Sequence, residues 1–186
     1  MRRKKTVSIT YFVHGTTTDN ENGIATGWKP GRLSKLGIEQ SIKLRGLVKG
    51  KRFDNVFCSD LKRAAESARL TFRNKIPVVR DKRLRECNYG VFTGKDAGKV
   101  ASLMEKHINK PFPEGESYRD VEKRIRDFIK DLKKDYAGKR IAVVAHQAPQ
   151  LALDVIIKGK TWKQAIKEDW RRKVPKEWRP GWSYKL

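Results

Sequence analysis

The sequence predicts an α/β domain, a three-layer α/β/α sandwich built on a mostly parallel central sheet. Three observations predict it. Short apolar or β-branched runs alternate with segments of helical period along the chain. Ile141-Ala142-Val143-Val144-Ala145 is an unbroken apolar run, the pattern of a strand buried on both faces. The 186 residues carry no repeat, linker or low-complexity stretch, and that length suits one domain, residues 1–186, with a substantial core.

The elements follow in order. Val7, Ile9, Tyr11 and Val13 alternate with polar or β-prone neighbours and read as a strand, which ends at the polar loop His14 to Asn20. Ser34 to Lys49 reads as a helix, with Ser34 as N-cap and Gly50 as stop. Asn55 to Cys58 is a short buried strand. A helix starts at Ser59/Asp60, carrying Leu61, Ala64, Ala65, Ala68 and Phe72 on one face. Pro77 to Leu84 contains a further strand. Ser117 and Asp120 form a capping-box pattern ahead of Val121, Ile125, Phe128, Ile129 and Leu132, the most regular helix in the chain, and Gly138 breaks it. After the Ile141–Ala145 strand, another helix is expected to follow Pro149. The last 29 residues, 158–186, are basic and rich in tryptophan; Trp162, Ala165, Ile166 and Trp170 have helical spacing, which predicts a helix packed on the body.

Composition narrows the function classes. Lys and Arg number 44 against 21 Asp and Glu, a formal charge of +23, so the partners to expect are anions: phosphorylated metabolites, nucleic acid or anionic lipid. A small phosphorylated substrate is the favoured partner and nucleic acid the less favoured one. The aromatics among the C-terminal basic residues would be its stacking platform. No apolar run approaches the roughly 18–20 residues of a membrane span, and the basic Met1 to Lys5 lacks the apolar stretch of a signal peptide. Cys58 and Cys87 have neither metal nor disulfide spacing, and the expected location is the cytoplasm. No metal and no cofactor is expected.

In a parallel α/β sheet, ligands bind beyond the carboxyl ends of the strands. His14, the Ser59–Arg63 segment, Glu86 and His146 each follow an expected strand, so folding should gather them at one edge. Two imidazoles, a guanidinium and a carboxyl group suit phosphoryl transfer. A neutral imidazole attacks phosphorus, with its other nitrogen held protonated by a carbonyl. Arg63 offers a planar fork to phosphoryl oxygens, His146 a further donor, and Glu86 a proton for the leaving alkoxide.

At these residues the chain resembles the histidine phosphatase superfamily, in its phosphoglycerate mutase-like branch. Val13-His14-Gly15-Thr16-Thr17-Thr18-Asp19-Asn20 is similar to the family's Arg-His-Gly-x-Thr-x-x-Asn opening. The resemblance continues through Gly27-Trp28, Leu33 to Gln40, Ser59-Asp60-Leu61-Lys62-Arg63-Ala64, Leu84 to Gly90 with Gly94, Pro113 to Ser117 with Asp120 and Arg124, and Val143-Val144-Ala145-His146. It covers roughly residues 7–157, and the blocks in sequence are specific where each alone is weak. It implies a phosphoglycerate mutase-like fold, with His14 as the phosphorylated nucleophile, Glu86 as proton donor, and Arg63 and His146 as ligands of the phosphoryl group. The same resemblance implies that Asn20, Thr26, Gly27 and Tyr89 bind substrate; Gly15, Thr17 and Gln147 are expected beside them. Gly15 and Gly27 also have a reading in backbone geometry.

The chain departs from the family's pattern twice. Val13 stands where the family has arginine, and losing such a contact in the transition state costs about 2–4 kcal/mol; Lys29, Arg32, Arg85 and Lys95 are the candidates to replace it. Gln147 stands where glycine is usual. The Lys95–Phe112 segment is short and lacks the arginine pair of the mutases, which favours hydrolysis over return of the phosphoryl group. Lys95, Lys99 and Lys106 are expected to meet an anionic substrate. A metal-independent phosphatase is therefore the leading reading, with a phosphoglycerate mutase and an impaired anion- or nucleic-acid-binding protein as the alternatives. His107 is expected to be solvated, Cys58 to pack in the core, and Cys87 to be partly exposed.

Overall fold

The structure, a computed structural model, describes residues 6–73, 75–173 and 181–186. The basic residues 1–5 and Trp178 lie outside the described residues. Five strands form one sheet: β1 Ser8–Val13, β2 Asn55–Cys58, β3 Val78–Arg80, β4 Arg140–Ala145 and β5 Trp182–Lys185. Their order is β3-β2-β4-β1-β5, with every pair parallel except β5, which runs antiparallel to β1.

The period-2 alternation of β1 divides the core between the two faces of the sheet. Ile9, Tyr11 and Val13 join Phe57, Val143 and Ala145 against α5 (Tyr118–Asp135) and α6 (Gln147–Lys158). Phe12 turns the other way, toward α2 (Lys35–Val48) and α3 (Lys62–Phe72), where it meets Leu44, Val48 and Phe72. All of these side chains are buried, and removing apolar area of that size from water is the main stabilising contribution. The α/β sandwich with a mostly parallel sheet is as the sequence predicts.

Register places the site. Val13 pairs with Ala145 and Cys58 with Val144, so β1, β4 and β2 end together. His14 N then donates to Ala145 O at 3.0 Å and Ser59 N to Val144 O at 3.1 Å. The residues just past these strands, His14, Ser59 and His146, are thereby brought to one edge.

Several elements differ from expectation, each for a local reason. The loop after β1 contains a single helical turn, α1 (Thr18–Glu21), because Thr17 and Asn20 form a reciprocal capping box. Helix α3 begins at Lys62, three residues late, since Ser59 Oγ accepts the Leu61 N–H and holds the chain extended there. Helix α6 begins at Gln147 rather than after Pro149. Proline sits in its first turn, where its missing N–H breaks no helical bond. The C-terminal residues form two short helices, α7 (Trp162–Lys167) and α8 (Trp170–Lys173), in place of one. Strand β5 then follows, where Tyr184 is buried and Trp182 half-buried, both packed on the larger core. His107 is buried rather than solvated: its ring stacks on Phe112 at 3.9 Å, and Nδ1 lies 3.0 Å from Lys110 O. Cys87 is also buried, as is Cys58, whose thiol burial pushes up to about 11.

Candidate active site

His14 leaves the end of β1 with its ring orientation fixed at both nitrogens. Nδ1 lies 2.7 Å from Gly15 O, which can only accept, so Nδ1 carries the hydrogen. Nε2 is then the lone-pair nitrogen, and it accepts from Arg63 Nε at 3.3 Å. Burial, together with the Arg63 charge, pushes the His14 pKa down to about 3, so the ring is neutral at physiological pH.

Arg63 belongs to the first turn of α3, and its guanidinium is buried. Besides His14 it serves the facing loop, donating from Nη1 to Lys29 O at 2.9 Å and from Nη2 to Gly27 O at 2.8 Å. Gly27 has φ 53, and a Cβ there would sit 2.8 Å from Thr93 Oγ1, so the close approach requires glycine. His146 follows β4 and stacks edge-on to His14, with ring centroids 5.0 Å apart. Tyr11 clamps its backbone: the hydroxyl donates to His146 O at 2.7 Å and accepts from His146 N at 3.0 Å. Both ring nitrogens of His146 are buried without a hydrogen-bond partner, and burial with the nearby Arg63 charge keeps that ring neutral too.

Glu86 faces the start of α6. Oε1 accepts from Cys87 N and Ala148 N, each at 2.9 Å, and Oε2 from Gln147 N at 3.1 Å. The helix N-terminus, with its free N–H groups and positive dipole end, holds the carboxylate in place. Its own carbonyl is fixed by Trp28 Nε1 at 2.7 Å and Arg124 Nη2 at 2.9 Å.

His14, Arg63 and Glu86 open on a cleft of about 130 Å³; His146, fully buried, does not line it. Its polar side is His14, Asn20, Thr26, Arg63, Glu86 and Gln147, with Gly27 and Tyr89 beside them. The opposite wall is apolar: Ile24, Ala25, Ala97, Val100, Ala101 and Met104. That wall comes largely from α4 (Ala97–Leu103) and the turn after it. Among the described residues, no group of three or more His, Cys, Asp or Glu side chains could hold a metal ion.

The family model for the histidine phosphatase superfamily, branch 1, matches residues 11–178. The chain belongs to this superfamily. It is 34% identical over 137 residues to "Probable fructose-2,6-bisphosphatase TIGAR A" of Danio rerio, which covers 67% of this chain. The chain spans about half of that relative's length, 52%. It is 31% identical over 143 residues to the adenosylcobalamin/alpha-ribazole phosphatase of Escherichia coli, covering 72% of this chain and 70% of that one. Among solved structures, a phosphoglycerate mutase from Bacillus anthracis superposes with a TM-score of 0.72 at 25% identity, covering 84% of this chain and 82% of the other. The α/β fold and the sheet described above are those of phosphoglycerate mutase-like proteins.

In this histidine phosphatase chain, five residues expected to meet substrate do not line the cleft. Thr17 is fully buried and caps α1, its Oγ1 accepting from Asn20 N at 3.0 Å. Gly15 is consumed in packing: a Cβ would lie 2.3 Å from Gly37 O of α2. Lys95, Lys99 and Lys106 are exposed and do not line the cleft, because α4 turns its apolar face inward. Lys29, Arg32 and Lys95 are exposed, and Arg85 is paired with Asp60 at 2.8 Å, so none of these four lines the cleft.

Sequence reasoning missed the C-terminal contribution. The Gln147 amide donates to Asp169, which is buried, and Arg172 Nη2 donates to Ala101 O at 2.9 Å. The only signal was the Asp169-Trp170-Arg171-Arg172 run, which helical spacing absorbed as packing.

Proposed function

We propose that the chain is a phosphatase that hydrolyses phosphomonoesters through a phosphohistidine on His14, without a metal. The observation that carries this is the neutral His14 ring, protonated at Nδ1 by its hydrogen bond to Gly15 O, with Nε2 facing a buried guanidinium. In the first step Nε2 attacks phosphorus in line and the ester P–O bond breaks, while Arg63 and His146 hold the equatorial oxygens. Glu86 takes up the proton that a monoanionic phosphate ester brings into the site and passes it to the departing alkoxide. Its Oε2, which accepts one backbone N–H where Oε1 accepts two, is the oxygen with room for that proton. In the second step water attacks phosphorus, its proton goes to Glu86, the P–N bond breaks, and inorganic phosphate leaves with His14 restored. Asn20, Thr26, Gly27, Tyr89 and Gln147 contact the substrate.

The make-up of the cleft favours hydrolysis over mutase chemistry. Arg63 is the only cationic side chain among its described lining residues, so a glycerate carboxylate finds no partner there. The Ile24, Val100 and Met104 wall instead suits an alcohol with an apolar portion. A nucleic-acid platform is disfavoured because Trp162 is buried and Trp170 and Trp182 pack on each other, with ring centroids 5.9 Å apart. No helix among the described residues is long and apolar enough to cross a membrane. We place the protein in the cytoplasm, where free thiols such as Cys58 and Cys87 persist.

The test is turnover of p-nitrophenyl phosphate in EDTA, alongside 3-phosphoglycerate with a bisphosphate primer. The wild type should release phosphate from the first and form no 2-phosphoglycerate from the second. His14→Ala should lower the rate at least 10³-fold. Full turnover by His14→Ala, or isomerisation without phosphate release, contradicts the proposal.

A further inference from the structure

The turn after α7 comes back to the cleft and is tied to it at two points. Asp169 takes the Gln147 amide, and Arg172 Nη2 donates to Ala101 O at 2.9 Å; Gln147 and Ala101 both line the cleft. Arg171 falls between Asp169 and Arg172 in the chain and sits behind the residues that line the cleft rather than among them. Its Nη1 donates to Asp169 Oδ1 at 2.9 Å and to Gln150 Oε1 at 3.0 Å. Its guanidinium carbon is 4.7 Å from the Trp170 ring centroid and 5.9 Å from that of Trp182. Trp182 in turn pairs with Tyr11 in the sheet, two residues before Val13 on the same face of β1.

Arg171 is thus clamped by aromatic faces, a carboxylate and an amide, yet its Nη2 is buried with no hydrogen-bond partner. The two ring nitrogens of His146 are in the same condition. A buried donor without an acceptor costs about 1–3 kcal/mol, and an oxygen-rich anion would relieve two of them, Arg171 Nη2 and the one protonated nitrogen of the neutral His146 ring. Arg63, by contrast, already spends N–H bonds on Gly27 O, Lys29 O and His14. A phosphoryl dianion carries two negative charges, and Arg63 supplies one positive charge. The Arg171 charge is felt at His14 and at Tyr11, where it favours the neutral imidazole and opposes the burial shift of the phenol.

We propose that Arg171 is the second cationic binding residue of the active site, donating Nη2–H to a phosphoryl oxygen and supplying the charge that Val13 does not. Asp169 and Gln150 are its positioning residues. The C-terminal segment is on this account a working wall of the site. The proposal rests on the phosphatase reading for its substrate, but its test does not depend on turnover.

Orthovanadate binding by isothermal titration is the direct measurement. Arg171→Ala should weaken vanadate binding 10- to 100-fold, with CD spectrum and melting temperature close to wild type, and added guanidinium should restore part of the loss. A merely structural arginine gives no such rescue. Arg171→Met keeps the stem between the two tryptophans and decides by the same criterion if the alanine variant does not fold. Unchanged vanadate affinity in a folded variant overturns the proposal, as does a loss that tracks the melting temperature without rescue, or a wild type that does not bind vanadate. A wild type that binds vanadate through Arg171 and hydrolyses no ester removes the phosphatase reading and leaves this assignment standing.

Discussion

His14 owes its state to two neighbours that act in opposite ways. The Gly15 carbonyl fixes which nitrogen holds the hydrogen, while burial and, beside it, the Arg63 guanidinium keep a second proton off the ring. Neither contact depends on a long flexible side chain finding its place late, because Arg63 is itself held by two loop carbonyls. Gly15 is equally constrained, from the other side. Its missing Cβ is what lets the loop lie on α2, with Gly37 O only 2.3 Å from where that carbon would be. Both clashing groups are main chain and cannot rotate away. Gly15→Ala should therefore cost about 3 kcal/mol, on the scale of overpacked cores, read as a lower urea midpoint at unchanged slope. A loss under about 1 kcal/mol would show that the loop has slack there.

At the scale of elements, the capping chemistry and the apolar periods were legible and the C-terminus was not. Ser34 and Ser117 cap the helices they were expected to cap, because a short polar side chain before an apolar run has one local use. His14, Arg63 and His146 come together because β1, β2 and β4 end in register, and Glu86 joins them past the neighbouring β3, so finding the apolar runs suffices to gather all four. The Thr17 capping box is present in the sequence too, where the residue is expected instead as a substrate contact. Strand β5 left a weaker trace. Trp182 and Tyr184 do alternate with Ser183 and Lys185, yet four residues in a basic, tryptophan-rich stretch do not announce an edge strand. Its antiparallel pairing with β1, set by the sheet rather than by local preference, places Trp182 against Arg171, and so the second guanidinium could not be read from spacing.

At the scale of the whole molecule, two neutral histidines, His146 buried and His14 half-buried, couple folding to pH. Below pH 6.5 the unfolded chain takes up protons on His14 and His146 that the folded protein refuses, since His14 is pushed to about 3 and His146 also lies well below its usual value. The stability they permit is complete above about 6.5 and is lost as pH falls toward 3. His14 alone should cost on the order of 1–2 kcal/mol by pH 5, a range in which Asp60, Asp120 and Glu122, all lowered, still keep their charge. The urea midpoint should drop between pH 7 and 5, and less steeply in His14→Gln. Equal slopes in the two proteins would mean that the imidazole is not held neutral by the fold.

The covalent intermediate tests the account most directly. Protein mixed with p-nitrophenyl phosphate and quenched within milliseconds in base should carry one phosphoryl group, stable to alkali and labile to acid. Mass spectrometry of the peptide spanning β1 and α1 should place it on His14. Phosphate release with no adduct at His14, or an adduct on any other residue, would contradict the mechanism.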